Sequence, residues 1–146
     1  MATTFQVTFD CADPNRVASF WAEVLGYKLQ DPPGGYDTWE DWLRDHGVPE
    51  EDWNSASAVV DPEGKLPRLY FQRVPEPKTV KNRVHLDVNV SAGTDGTLEA
   101  RRAVVNSEVE RLVGLGARVV RPGKVSELGE YWVVLQDPEG NELCLQ

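Results

Sequence analysis

The chain has 146 residues, of which 40% are hydrophobic and 9% aromatic, a composition typical of a globular domain rather than a disordered segment. Its formal net charge of −9 argues against nucleic acid and anionic membranes as partners, because both would repel it. No apolar run approaches the roughly 18 residues that span a bilayer, and no secretory pattern opens the chain, so we expect a cytoplasmic protein.

The first elements predicted are a strand and a helix. Residues 4–10 alternate between apolar and polar types, as expected for a strand with one buried face. Asp13 and Pro14 then have the character of a helix N-cap and first helical position, and predict a helix of about 11 residues that ends near Val24. A short strand is expected at 27–30. The apolar residues predicted to share one face of the first strand are Phe5, Val7, Phe9 and Cys11.

Residues 31–57 form an insertion that has no counterpart later in the chain. It predicts a helix at 38–46 and a further turn at 49–53. Three tryptophans are concentrated in it: Trp39, Trp42 and Trp53. They could form a local small core or the wall of a ligand site. After the insertion, strands are predicted at 58–60 and 68–74.

The remainder of the chain predicts a strand at 83–90, a loop at 93–97, and a helix from about 98 to 112 or beyond. Three further strands are expected at 118–121, 131–136 and 142–146. Both halves of the chain therefore have the order β-α-β-β-β.

A sequence repeat supports this division. Asp-Pro-Glu-Gly occurs at 61–64 and again at 137–140, about 75 residues later, and a similar strand follows each copy. In both places Pro and Gly suit a tight turn. We therefore predict one domain, 1–146, made of a module at 1–76 and a duplicate at 80–146.

Several segments give the chain a family resemblance. The stretch 13–27, which includes the first predicted helix, contains Phe-Trp followed by Leu-Gly-Tyr, and 137–141 reads Asp-Pro-Glu-Gly-Asn. With these motifs the chain resembles the vicinal oxygen chelate superfamily, which includes glyoxalase I, extradiol dioxygenases and bleomycin-resistance proteins. The runs 72–76 and 82–87 are most similar to its glyoxalase-like domain proteins. The resemblance implies an α+β fold in which two tandem βαβββ modules form one cupped eight-stranded mixed sheet, with the helices outside.

The resemblance also implies four positions for a divalent metal. They fall on Gln6, Tyr70, His85 and Cys144. Only His85 is an ordinary strong ligand, and Gln6 is a weaker one; the phenol of Tyr70 has an unperturbed pKa near 10. We therefore expect no cofactor, and keep a divalent metal (Zn, Ni, Mn or Fe) on Gln6 and His85 as the alternative.

Without a metal, the same strands still predict a polar cup for a small organic ligand. The residues predicted to bind it are Gln6, Asp10, Arg68, Tyr70, Gln72, Trp39, Trp42 and Cys144. For several of them a structural role is the alternative. Asp10 could pair with Arg68, His85 could be satisfied by Asp87, and Cys144 could be a small buried residue, both cysteines being expected as reduced thiols.

Three functions are compatible with these patterns. The leading hypothesis is a small-molecule binding protein of the sequestration or resistance type, whose ligand is aromatic or, given the negative charge, cationic. The alternative is a glyoxalase-type lyase, isomerase or dioxygenase, with His85, Asp87 and Glu142 as catalytic residues. The third is a regulatory domain that binds a protein, and a homodimer is possible in each case.

Overall fold

The computed structural model describes residues 1–94 and 96–146. The chain divides into two compact units, Met1–Pro77 and Lys78–Gln146, hereafter module one and module two. Module one contains β1 (Val7–Cys11), α1 (Pro14–Leu25), β2 (Lys28–Leu29), α2 (Trp39–Asp45), a 3-10 helix (Glu50–Asp52), β3 (Ala56–Val60) and β4 (Leu69–Arg73). Module two contains β5 (Leu86–Val88), α3 (Leu98–Gly114), β6 (Arg118–Val125), β7 (Tyr131–Gln136) and β8 (Glu142–Leu145).

Each module builds one four-stranded mixed sheet. The strand orders are β1-β4-β3-β2 in module one and β5-β8-β7-β6 in module two. The first strand of each module pairs in parallel with the last, and the other pairs are antiparallel. This equivalence confirms the predicted α+β class and the tandem βαβββ order, whereas one cupped eight-stranded sheet formed by both modules stays a prediction.

The core of module one lies between its sheet and α1. Trp21 of α1 and Phe71 of β4 are fully buried, and the ring of Phe9 lies 4.8 Å from Trp21 and 5.1 Å from Phe71, centroid to centroid. These contacts form because α1 carries its apolar residues at helical spacing, which gives it one face to bury against the sheet.

The ends of α1 are fixed as the sequence predicts. The Asp13 carboxylate accepts a hydrogen bond from the Arg16 backbone N–H, and Pro14 occupies the first helical position. Gly26 ends the helix with φ of 65°, a left-handed conformation that glycine adopts at little cost. Asn54, at the end of the insertion, donates to Asp13 and so ties the insertion to the start of α1.

The core of module two is covered less completely by its helix. Val105 and Leu112 are the buried residues of α3, and the helix packs against β7 and β6. Leu135 of β7 and Leu143 of β8 are buried in the same module. Other apolar residues of α3 stay accessible to solvent; Val113, for example, is 45% exposed.

Several predicted bounds differ from the structure. The first strand begins at Val7, which leaves Phe5 exposed instead of on the buried face. β5 is shorter than predicted, whereas β6 extends from Arg118 to Val125 instead of ending near 121. Of the loop predicted at 93–97, residue 95 lies outside the described residues.

The two Asp-Pro-Glu-Gly segments are turns that their own aspartate holds together. Asp61 accepts hydrogen bonds from three backbone N–H groups, those of Glu63, Lys65 and Leu66. In the second copy, Asp137 accepts from Asn141 and is almost fully buried. The duplicated motif therefore has the structural role that the sequence predicts for it. Within the described residues, the helices are too short or too polar to cross a membrane.

Candidate functional site

The candidate site in module one lies on the face of the sheet opposite α1. In the β1–β4 register, Thr8 is paired with Tyr70 and Asp10 with Gln72. Residues paired in this way point to the same face of a sheet. The polar residues predicted from the alternation therefore lie together on one face, hereafter the polar face.

Arg68 is the centre of a hydrogen-bond network on the polar face. Its Nη1 donates to Gln6 Oε1 at 2.8 Å, and its Nε donates to Gln30 Oε1 at 2.7 Å. The guanidinium carbon lies 5.1 Å from the centroid of the Tyr70 ring, a cation–π distance. The two amide oxygens and the ring hold this side chain in one orientation.

Asp10 is paired with Gln72, and not with Arg68 as the structural alternative for it predicts. Its Oδ1 accepts a hydrogen bond of 2.7 Å from the Gln72 side-chain amide. The polar face thus carries two separate pairings: a carboxylate with a neutral amide, and a guanidinium with two neutral amides.

The insertion places an aromatic cluster beside this network. It consists of Tyr36, Trp39, Trp42 and His46. Trp39 and Trp42 meet edge to face at 5.6 Å, and Trp42 stacks on His46 at 4.1 Å. None of the α2 residues, 39–45, is buried, so this cluster differs from a closed small core.

Gln30 connects the cluster with the polar face. Its backbone oxygen accepts a hydrogen bond of 2.7 Å from Trp39 Nε1, while its side chain accepts from Arg68. Sequence reasoning did not select Gln30, because its position depends on the pairing of β2 with β3, for which the short β2 carries little pattern.

In module two, His85 and Asp87 form a side-chain pair. His85 Nδ1 lies 2.8 Å from Asp87 Oδ1, and both side chains are close to half exposed. When neutral and donating from Nδ1, the imidazole keeps Nε2 as an acceptor. The structure thus brings together two of the three residues predicted as catalytic.

The third, Glu142, has other partners. Its carboxylate accepts from the Asn82 backbone N–H at 2.9 Å, from the Gln136 amide at 3.2 Å, and lies 3.2 Å from Lys78 Nζ. Burial alone would raise its pKa, but these hydrogen bonds outweigh burial and lower the pKa to about 2. A carboxylate with so low a pKa is a weak proton acceptor, so the contacts favour a structural role.

Cys144 lies beside Asp87 in the β5–β8 register and is buried. Burial, and secondly the negative charge of Asp87, raise the pKa of the Cys144 thiol to about 11. The thiol is therefore protonated at neutral pH, which makes it a poor nucleophile.

The four positions implied for a metal do not provide a suitable donor set. In module one, the positive guanidinium of Arg68 is bonded to Gln6 and lies over Tyr70. In module two, Cys144 is a buried thiol that a metal would have to deprotonate in order to bind. Across residues 1–94 and 96–146, no group of three His, Cys, Asp or Glu side chains is placed to hold a metal ion. Divalent metals need anionic or strong neutral donors. Among the four residues only His85 is such a donor, so the set does not suit a divalent metal ion.

The sequence matches the glyoxalase-like domain family over residues 6–146, and the chain belongs to that family. The predicted resemblance to the vicinal oxygen chelate superfamily is thereby confirmed. No curated protein matches the chain significantly.

Solved structures share the fold at low sequence identity. A glyoxalase/bleomycin resistance protein/dioxygenase family enzyme from Burkholderia phytofirmans PsJN is 16% identical, with a TM-score of 0.59 over 96% of this chain and 94% of that one. TioX from Micromonospora sp. ML1 is 17% identical, with a TM-score of 0.53 over 99% and 97%. The fosfomycin resistance protein FosX from Listeria monocytogenes, as a mutant complexed with Mn(II) and 1S,2S-dihydroxypropylphosphonic acid, is 12% identical, with a TM-score of 0.62 over 100% and 90%.

Proposed function

We propose that the protein binds a small organic molecule at the polar face of module one and sequesters it without turnover. The aromatic cluster would contact the apolar part of the ligand, and Gln6, Arg68 and Tyr70 would orient its polar part. Small-molecule sites usually combine a concave apolar surface with a few fixed hydrogen-bonding groups. FosX, which shares the fold, was crystallised with a small phosphonate, which supports the idea that this fold can hold a small polar molecule.

The main support for the proposal is that Gln30 accepts hydrogen bonds from both Trp39 and Arg68. Because one residue holds both Trp39 and Arg68, the aromatic and the polar groups are fixed relative to each other. Fixed groups bind a ligand at lower entropic cost than mobile ones.

The test uses four compounds that share one aromatic ring and differ in charge: benzylamine, benzyl alcohol, phenylacetate and phenylphosphonate. We expect at least one to quench tryptophan fluorescence with a dissociation constant on the order of 0.1–1 mM, as for small fragments. Replacing Trp39 by Phe removes its hydrogen bond to Gln30 and should weaken that binding by about tenfold.

Trp53→Phe is the matched control. The Trp53 indole donates to the Val48 carbonyl oxygen and lies under Arg44, outside the aromatic cluster. Its replacement should therefore leave the affinity nearly unchanged. If none of the four compounds binds, or if the two tryptophan variants behave alike, this function is wrong.

The His85–Asp87 pair favours a second candidate, an enzyme that removes a proton next to a carbonyl group. Asp87 would hold Nδ1 of the imidazole, so that Nε2 can accept a proton and the carboxylate stabilises the resulting imidazolium. Here Asp87 positions the base instead of serving as the base.

Deuterium incorporation into hydroxyacetone, followed by proton NMR in D2O, tests this candidate. His85→Gln should abolish protein-catalysed exchange, a loss on the order of 100-fold or more. Asp87→Asn should slow it, since the imidazolium that forms loses the carboxylate that stabilises it. The exposed Glu127→Gln is the control. Absence of exchange above the buffer rate with the unchanged protein eliminates this candidate.

A further inference from the structure

We infer that the ligand of the polar face carries an oxyanion, a carboxylate or phosphonate group, and that Arg68 binds it. The inference rests on the proposed function and specifies its ligand class. It reverses the expectation of a cationic ligand that the net charge of −9 suggests.

Arg68 differs from many lysine and arginine side chains of the protein in the kind of group that it contacts. Lys28, Arg44, Lys65, Arg73, Lys78 and Arg111 each form an ion pair with a carboxylate. Across residues 1–94 and 96–146, Arg68 forms no such pair, and both oxygens that fix it belong to neutral amides. Its charge is therefore oriented but not neutralised.

The geometry leaves donors for a ligand. Nε is used by Gln30 and one Nη1 hydrogen by Gln6, while the Nη2 hydrogens have no hydrogen-bond partner among the described residues. A guanidinium offers five N–H donors in a planar fork, which suits the paired oxygens of a carboxylate or phosphonate. The end of the fork at Nη1 and Nη2 is the part that such a group could reach.

For a ligand in contact with Arg68, the positive charge of this residue outweighs the negative net charge of the protein. In physiological salt the Debye length is about 8 Å, so acidic groups farther away than this contribute little. A contact with a half-buried guanidinium is screened much less, and a charge-assisted hydrogen bond is roughly twice as strong as a neutral one. The net charge would slow the approach of an anion more than it would weaken the bound state.

The experiment repeats the titrations with benzylamine, benzyl alcohol, phenylacetate and phenylphosphonate on three variants. Arg68→Gln removes the charge, Arg68→Lys keeps the charge without the planar fork, and Arg16→Gln removes a charge from an exposed position of module one. Phenylphosphonate and phenylacetate should bind more tightly than the neutral and cationic compounds. Arg68→Gln should weaken the binding of both anions about 10-fold to 100-fold, Arg68→Lys less, and Arg16→Gln less than twofold. Circular dichroism confirms that each variant is folded.

The possible outcomes separate this inference from the function beneath it. If benzylamine or benzyl alcohol binds better than the anions and depends on Trp39, the binding function stands and the oxyanion inference fails. If an anion binds equally well to Arg68→Gln, the inference also fails, because another group holds the anion. If only phenylphosphonate, or only phenylacetate, depends on Arg68, the ligand class narrows to that oxyanion. If no compound binds, both proposals fail.

Discussion

Glu142 shows how a residue selected for chemistry can belong to the framework. Lys78 and Asn82 at the start of module two, together with Gln136 of β7, hold its carboxylate. The alternating pattern of β8 indicates which face Glu142 occupies, but it contains no information on these partners. The sequence therefore predicts the position of the residue and not its environment.

The low pKa of Glu142 predicts a loss of stability in acid. Its pKa of about 2 in the folded protein lies below the usual unfolded value near 4.3. The stabilisation it provides is full above that value and is lost as the pH falls toward 2. We expect Glu142→Gln to cost on the order of 2 kcal/mol at pH 7, measured by urea unfolding.

The pH dependence distinguishes this cause from a general loss of packing. Between pH 5 and pH 2.5 the stability of Glu142→Gln should fall less steeply than that of the unchanged protein. Glu127→Gln, at an exposed position, should follow the unchanged curve. Parallel acid curves for all three proteins would contradict the assigned pKa.

At the scale of elements, β6 is the strand whose length differs most from the prediction. Pro122 and Gly123 read as strand breakers, and a strand ending near 121 follows from that reading. In the structure β6 is an edge strand, where a proline needs no partner for its missing N–H. Its pairing with β7 shifts register between Arg121 and Lys124, and this irregularity lets the strand pass through the Pro-Gly pair.

Gly123 has a packing role in this irregularity. A β-carbon at this position would overlap with the ring and hydroxyl of Tyr131, which donates a hydrogen bond to Asn106 of α3 at 2.6 Å. Gly123→Ala should therefore displace Tyr131 and cost about 1–3 kcal/mol of unfolding free energy. A Tyr131→Phe variant in the same background would show how much of the cost comes from the lost hydrogen bond.

Gly114→Ala is the control for that substitution. Gly114 lies in the last turn of α3 with nothing within 4 Å of an added β-carbon. Alanine favours a helix, so this variant should be as stable as the unchanged protein or more stable by up to about 1 kcal/mol. If Gly123→Ala leaves the free energy of unfolding as high as Gly114→Ala does, the close packing of Tyr131 against Gly123 is contradicted.

The elements differ in how well the sequence predicts them, and the reason is physical. α1 is predicted nearly to the residue because its signals are local: an aspartate cap, a proline, an apolar stripe and a terminal glycine. The faces of β1 and β4 follow from alternation alone. The Arg68–Gln30–Trp39 arrangement does not, because it depends on the pairing of strands that are distant in sequence and on an insertion without a repeat partner.

At the scale of the whole molecule, the duplication preserved the fold of each module but not equivalent chemistry. The positions of Gln6 and His85 are counterparts, yet one is bonded to Arg68 and the other to Asp87. The same holds for Tyr70, which lies under a guanidinium, and Cys144, which is a buried thiol. The two modules have diverged to different polar networks on one framework.

This divergence predicts the metal content of the protein. Purified without chelator and dialysed against Zn, Ni, Mn or Fe, the protein should contain far less than one metal per chain, because the donors do not suit a divalent ion. Elemental analysis measures the content, and melting temperatures with and without each metal should agree. One metal per chain, lost in His85→Ala, would restore the metal-dependent alternative.

The two cysteines have a practical consequence. Cys11 and Cys144 are buried, 4% and 8% exposed, one in each module. A thiol reagent can modify such a side chain only when the surrounding structure opens. In Cys144→Ala the rate of modification of Cys11 therefore measures the opening of module one. In Cys11→Ala the rate of modification of Cys144 measures the opening of module two. Equal rates across a range of urea concentrations would mean that the duplicated halves unfold as one cooperative unit, and unequal rates would mean that one half outlasts the other.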